Sequence, residues 1–178
     1  MILKIQTYGN EILRRESRPI GAVTDEIRAL ARDMLETMRD ADGVGLAAQQ
    51  VGRDEAICVI DIPKGAEKVP GNEAFNAAIP MPLVLLNPRI VAEEGSQRGS
   101  EGCLSFPDIH GQVTRAMQVT VQYEDLDGKG QTATARGLLA RAIQHELDHL
   151  HGKLMIDKFS SVQKLAVNGK LRRLASAR

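Results

Sequence analysis

The sequence predicts an α+β domain, with mostly antiparallel strands around one central helix and further helices near the N- and C-terminal ends. Three observations point to this class. Residues 118–124 alternate apolar and polar, and Asp127-Gly128 supplies a tight turn toward a partner strand at 132–135. Two segments, Thr24 to Ala41 and Gly137 to Leu150, repeat apolar residues at helical spacing. The strand candidates come mainly before the second helix and do not alternate with helices, which is the α+β pattern. At 178 residues the chain fits a single domain, 1–178, with an adequate core.

In chain order, the first helix is carried by Ile27, Leu30, Ala31, Met34, Leu35 and Met38. Asp25 and Glu26 fall in its first turn, where they complement the helix dipole, and Asp42-Gly43 ends it. Glu55 to Ile62 reads as a mostly buried strand, and Leu83 to Val91 as a second, with Pro88 marking an edge or a bend. Between them, Lys64 to Pro82 has little periodicity and follows Pro63, so it is expected to be a surface loop. After the 118–135 hairpin, Gly137 opens the central helix. Leu138, Leu139, Ala142, Ile143 and Leu150 form its apolar stripe, and Gly152 ends it. Ser160 starts a last helix, weakened by Gly169.

Composition excludes several classes. No apolar run approaches bilayer-spanning length, so no membrane partner is expected. Met1 to Ile5 lacks the features of a signal peptide, which makes a cytoplasmic location the expectation. Two cysteines, Cys58 and Cys103, make no disulfide framework. The absence of Trp and scarcity of other aromatics argue against a base-stacking surface. Net charge is zero, yet the tail 158–178 carries Lys158, Lys164, Lys170, Arg172, Arg173 and Arg178 with no acid. A basic tail on an acidic body fits a polyanionic partner; a solvated helix face is the other reading.

The most informative stretch is His145-Glu146-Leu147-Asp148-His149. Histidines at i and i+4 stack on one helix face, so both imidazoles reach one metal ion. Glu146 lies about 100° round the helix, placed to take a proton from a metal-bound water rather than to ligate. Two histidines do not complete a catalytic site, which needs three protein ligands and an open position. The extended metalloprotease pattern would put the third at residue 155, which is Met155, and downstream only Asp157 offers a carboxylate. Upstream, Cys103 sits in Glu101-Gly102-Cys103-Leu104-Ser105, where glycine allows close backbone approach and cysteine binds as thiolate. Cys103 is the better candidate.

With these residues in view the chain resembles the peptide deformylases. Gly43 to Gln50 is similar to the family's G-x-G-L-A-A-x-Q motif, Glu101 to Ser105 to E-G-C-L-S, and His145 to His149 to H-E-x-D-H. Asn10 to Ile20 is similar to the N-terminal segment, so the likeness runs nearly end to end; the 64–82 segment departs from it.

The resemblance implies an enzyme that removes the formyl group from N-terminal formylmethionine of new polypeptides, releasing formate. It implies Cys103, His145 and His149 as ligands of one divalent ion, Fe2+ in the cell, with Zn2+, Ni2+ or Co2+ as substitutes. A metal-bound water would attack the formyl carbon with Glu146 as general base and acid. Gln50 and the Leu104 backbone N–H would hold the oxyanion. Substrate contacts are implied for Val44, Gly45 and Gly102 along the peptide, for Leu138 and Ala142 in a methionine pocket, and for Arg115 near the peptide exit. Asp148 would orient the helix or a ligand histidine. His110 and His151 are read as surface histidines and Cys58 as a core thiol. The basic tail is expected to dock on the ribosome near the peptide exit, and the protein to be a monomer. Two other readings compete. A zinc endopeptidase leaves the first two motifs unexplained, and a structural metal site would not require Glu146.

Overall fold

Residues 1–177 are described by a computed structural model; Arg178, the last basic residue of the tail, lies outside them. A five-stranded antiparallel sheet runs in the order β1 (Gly45–Ala47), β2 (Ile57–Ile60), β3 (Leu83–Glu94), β6 (Gln118–Glu124), β7 (Gly130–Arg136). Strands β4 (Gln97–Cys103) and β5 (Phe106–Arg115) form a separate two-stranded hairpin. The helices are α1 (Asp25–Asp40), α2 (Pro70–Asn76), α3 (Gly137–Leu150) and α4 (Ser161–Ser176).

The sheet is covered on both faces, and β2 shows why its four residues are all apolar. Successive side chains point to opposite faces. Ile57 and Val59 pack with Ile27, Leu30, Met34 and Met38 of α1. Cys58 and Ile60 pack with Leu139, Ile143 and Leu147 of α3. Helix α1 starts where expected: the Thr24 side chain accepts a hydrogen bond from the Ile27 N–H, the usual N-cap arrangement. Helix α3 is buried on nearly every side and is the central element of the fold.

Three differences from the expectation have physical causes. Strand β3 is longer than expected and central, pairing with both β2 and β6. Its register shifts between Leu86 and Arg89, so Pro88 falls where a ladder bond is already interrupted. The β4–β5 hairpin was not foreseen because β4 (QRGSEGC) has almost no apolar alternation; its side chains serve the site rather than a core. The 64–82 segment is not a plain loop. It contains α2, with Pro70 at the first helical turn, where a missing N–H costs nothing.

A third cluster joins the hairpin to the C-terminal part through Phe106, Ile109, Val113, Leu154, Ile156 and Phe159. Val167, Leu171 and Leu174 lay α4 against it, and Gln163 Nε2 donates to the Gln112 carbonyl at 3.2 Å. Helix α4 runs unbroken through Gly169. Lys164, Lys170, Arg172 and Arg173 are exposed along it. Among the described residues no helix is long and apolar enough to cross a membrane.

Candidate metal centre and substrate cleft

Helix α3 sets two of the three ligand atoms by its pitch alone. His145 and His149 stand one turn apart, and their Nε2 atoms are 3.2 Å from each other. Cys103 arrives from the end of β4, just past a register shift between Glu101 and Cys103 that turns the chain toward α3. Its Sγ lies 3.3 Å from His149 Nε2. All three ligand atoms fall within 4.8 Å of one another. An ion about 2.0–2.3 Å from tetrahedral nitrogen and sulfur ligands spaces those atoms roughly 3.3–3.6 Å apart, so the trio fits one metal. His149 is buried, and that burial lowers its pKa well below the ordinary value.

Behind the ligands lies a buried ionic network that fixes them. His145 Nδ1 is 2.9 Å from Glu101 Oε1, which leaves Nε2 free to ligate. Arg115 Nη2 donates to Glu101 Oε1 at 2.8 Å and its Nε to Oε2 at 2.6 Å; Arg141 Nη1 donates to Oε2 as well, at 2.6 Å. Burial would raise the Glu101 pKa, but the hydrogen bonds from Arg115 and His145 outweigh it and hold the carboxyl well below the usual range. Arg115 Nη1 reaches on to Asp148 at 2.8 Å. Asp148 therefore acts on His145 through Arg115 and Glu101, not by touching a ligand histidine.

The arginine placement corrects the sequence reading. The Arg115 side chain is only 2% exposed and does not line the cleft, so it supports the site from behind and is not at the peptide exit. Glu101 and Arg141 were missed as site residues. The available signal was spacing: Arg141, His145 and His149 fall at i, i+4 and i+8 on one face of α3, with an acid two residues before the cysteine.

A cleft of about 480 Å³ opens over the metal ligands. Gln50, Leu104, Val44, Gly45, Gly102, Leu138, Ala142, Cys103, His145 and Glu146 all line it, bringing together the remaining expected residues. His149 stands beneath, 1% exposed. Gln50 follows β1 in a short 3₁₀ turn. Its Oε1 accepts the Ala47 N–H at 2.9 Å, and its Nε2 lies 3.2 Å from Ser105 Oγ and 3.4 Å from Cys103 Sγ. Its amide nitrogen is thus aimed at the ligand trio. Glu146 is 4% exposed, and its Oε2 has no hydrogen-bond partner among the described residues. Burial pushes its carboxyl up to about 7. Gly45 must be glycine, because a Cβ there would collide with the Glu146 carboxylate. His110 is exposed as expected, yet it folds over Gly102 at the rim of the cleft. His151 is at the surface beside Glu16, and Cys58 is fully buried in the core.

The polypeptide deformylase family matches residues 2–165. A peptide deformylase of Nitrosococcus oceani is 46% identical over 169 residues, covering 95% of this chain and 93% of that protein. The crystal structure of the Thermus thermophilus peptide deformylase superposes with a TM-score of 0.86 at 35% identity, covering all of both chains. That of the Synechococcus elongatus enzyme in complex with actinonin gives 0.82 at 39% identity, covering 94% of this chain and 87% of that one. The chain belongs to the polypeptide deformylase family, metal-dependent hydrolases that remove the N-formyl group from nascent formylmethionyl peptides.

Proposed function

We propose that Cys103, His145 and His149 hold one divalent ion, Fe2+ in the cell, and that Glu146 moves the proton as the formyl group is hydrolysed and formate released. One observation carries this reading. Three ligand atoms converge beside the buried Glu146 carboxylate, whose Oε2 has no hydrogen-bond partner among the described residues, on the floor of a cleft. Two imidazoles and a thiolate suit several divalent ions, so Zn2+, Ni2+ or Co2+ would also be held, and availability decides.

A divalent ion bound there would act as a Lewis acid, acidifying a water and polarising the formyl carbonyl. Glu146 takes the proton released by the attacking water and returns it to the leaving amine. A carboxyl raised to about 7 suits both transfers near neutral pH. Gln50 Nε2, held in orientation by Ala47 and Ser105, and the Leu104 backbone N–H donate to the developing oxyanion.

The peptide is read as an added strand. Strand β1 ends the sheet and pairs only with β2, so its other edge is available for backbone pairing alongside Val44 and Gly45. Gly102 lets the peptide approach from the opposite wall, and Leu138 and Ala142 line the pocket for the methionine side chain. The exposed cations of α4 support docking on the ribosome near the peptide exit, where a monomeric, cytoplasmic enzyme would meet new chains as they emerge.

The test is a formate-release assay on formyl-Met-Ala-Ser, using protein purified anaerobically, with metal analysis of the same sample. Formate release that scales with bound metal supports the reading. Metal binding without turnover would leave a non-catalytic site.

A further inference from the structure

Helix α3 carries two ligands and Glu146, yet it begins without a cap of its own. Arg136 stands at its N-cap and makes no side-chain hydrogen bond to the helix, and Gly137 enters it at a φ of 62°. An uncapped first turn leaves N–H groups to be satisfied from elsewhere. The 64–82 segment satisfies one. Glu67 Oε2 accepts the Leu138 N–H at 2.7 Å, while Oε1 accepts the Val69 N–H at 2.8 Å and so fixes the carboxylate. A negative charge at this end also complements the helix dipole. Asn76 brackets the preceding residue: its Nδ2 donates to the Arg136 carbonyl and its Oδ1 accepts the Arg136 N–H, both at 2.9 Å. Phe75 lies under the Arg136 guanidinium, 5.4 Å from ring centre to Cζ. Asn72 is buried against Gly137, where a Cβ would meet its Nδ2 at 2.5 Å.

The residue whose N–H Glu67 holds is Leu138, which lines the cleft, and Ala142 follows one turn later. We propose that Glu67 is a positioning residue for deformylation, capping the metal-binding helix from outside and fixing Leu138 as a wall of the pocket for the methionine side chain. The proposal rests on the assignment of Leu138 and Ala142 to that pocket. It gives the 64–82 segment a part in substrate selection rather than a purely superficial place.

The test compares metal-loaded wild type, Glu67→Ala, Glu67→Gln and Asn76→Ala, measuring kcat and KM on formyl-Met-Ala-Ser and formyl-Ala-Ala-Ser beside metal content and Tm. Glu67→Ala should keep its metal and lower the ratio of kcat/KM for the methionine over the alanine peptide by about 5-fold, mainly through KM for the methionine peptide. That factor corresponds to the roughly 1 kcal/mol a helix cap contributes. Glu67→Gln keeps an acceptor oxygen and should recover most of the discrimination. Asn76→Ala should move the ratio the same way, and it carries the test if Glu67→Ala does not fold. A lowered Tm with an unchanged ratio in the variants would reduce Glu67 to a stabilising cap and overturn the proposal. A wild-type enzyme that does not discriminate between the peptides would sink the pocket assignment first, and this inference with it.

Discussion

Replacing Arg115 by Met separates the support role found in the structure from the peptide-exit role expected from sequence. The Arg115 side chain is 2% exposed, makes both hydrogen bonds of a bidentate pair with Glu101, and reaches Asp148 with its remaining nitrogen. Methionine fills similar volume but leaves Glu101 buried, with Arg141 and His145 as its remaining partners. Breaking one side of a buried pair in this way typically costs about 3–5 kcal/mol. At a urea dependence of roughly 2 kcal/mol per molar, that moves the unfolding midpoint down by about 2 M. The Glu101 carboxyl, having lost its bidentate partner, would orient His145 less firmly, and such outer partners are typically worth about 10- to 100-fold in metal affinity. Urea unfolding of metal-loaded protein measures the first quantity, and competition with a chelator the second. An Arg115→Met protein within about 1 kcal/mol of wild type, with unchanged metal affinity and a raised KM only for longer peptides, would refute the support role and restore the peptide-exit one.

Cys103→Ser and His149→Ala should each lose metal and formate release together, since each removes one of three ligands; metal analysis showing full, tight binding in Cys103→Ser would mean the third ligand is wrong. The ferrous enzyme should lose activity in air faster than the nickel form, because a thiolate beside a redox-active metal exposes both to oxidation; equal lifetimes would count against iron. Neutralising Lys164, Lys170, Arg172 and Arg173 to Gln should weaken co-sedimentation with ribosomes in a salt-dependent way and leave turnover of a short formyl-Met peptide intact. Substitution tests this better than truncation because Val167, Leu171 and Leu174 pack on the hairpin cluster; ribosome binding equal to wild type at low salt would leave α4 a solvated face.

The parts of this protein with a strong period could be read from the residues alone. Helix α1 follows from its apolar spacing, and the buried strand β2 from its apolar run. The β6–β7 hairpin follows from Asp127-Gly128, and α3 from its stripe and its paired histidines. The β4–β5 hairpin escaped because the site-facing residues of β4, Glu101 and Cys103, carry no apolar signal, and the buried apolar residues of β5, Phe106, Ile109 and Val113, do not alternate at strand spacing. The same holds for the network behind His145: its partners come from β4, β5 and α3, so only tertiary contact joins Glu101, Arg115, Arg141 and Asp148. Arg115 was misread for that reason, since a buried arginine and an exposed one look alike in sequence. In the 64–82 segment, α2 is only seven residues long and is held through the contacts of Asn76 with Arg136 rather than by its own pattern.

The central claim is that Glu146 moves the proton and does not hold the metal. Glu146→Ala, purified anaerobically with its metal content measured, tests this in one formate-release assay on formyl-Met-Ala-Ser. The expected result is a full complement of metal with turnover reduced by about 10²- to 10⁴-fold, the usual contribution of a positioned general acid–base group. A variant that arrives metal-free, or one that turns over near the wild-type rate, would contradict the account.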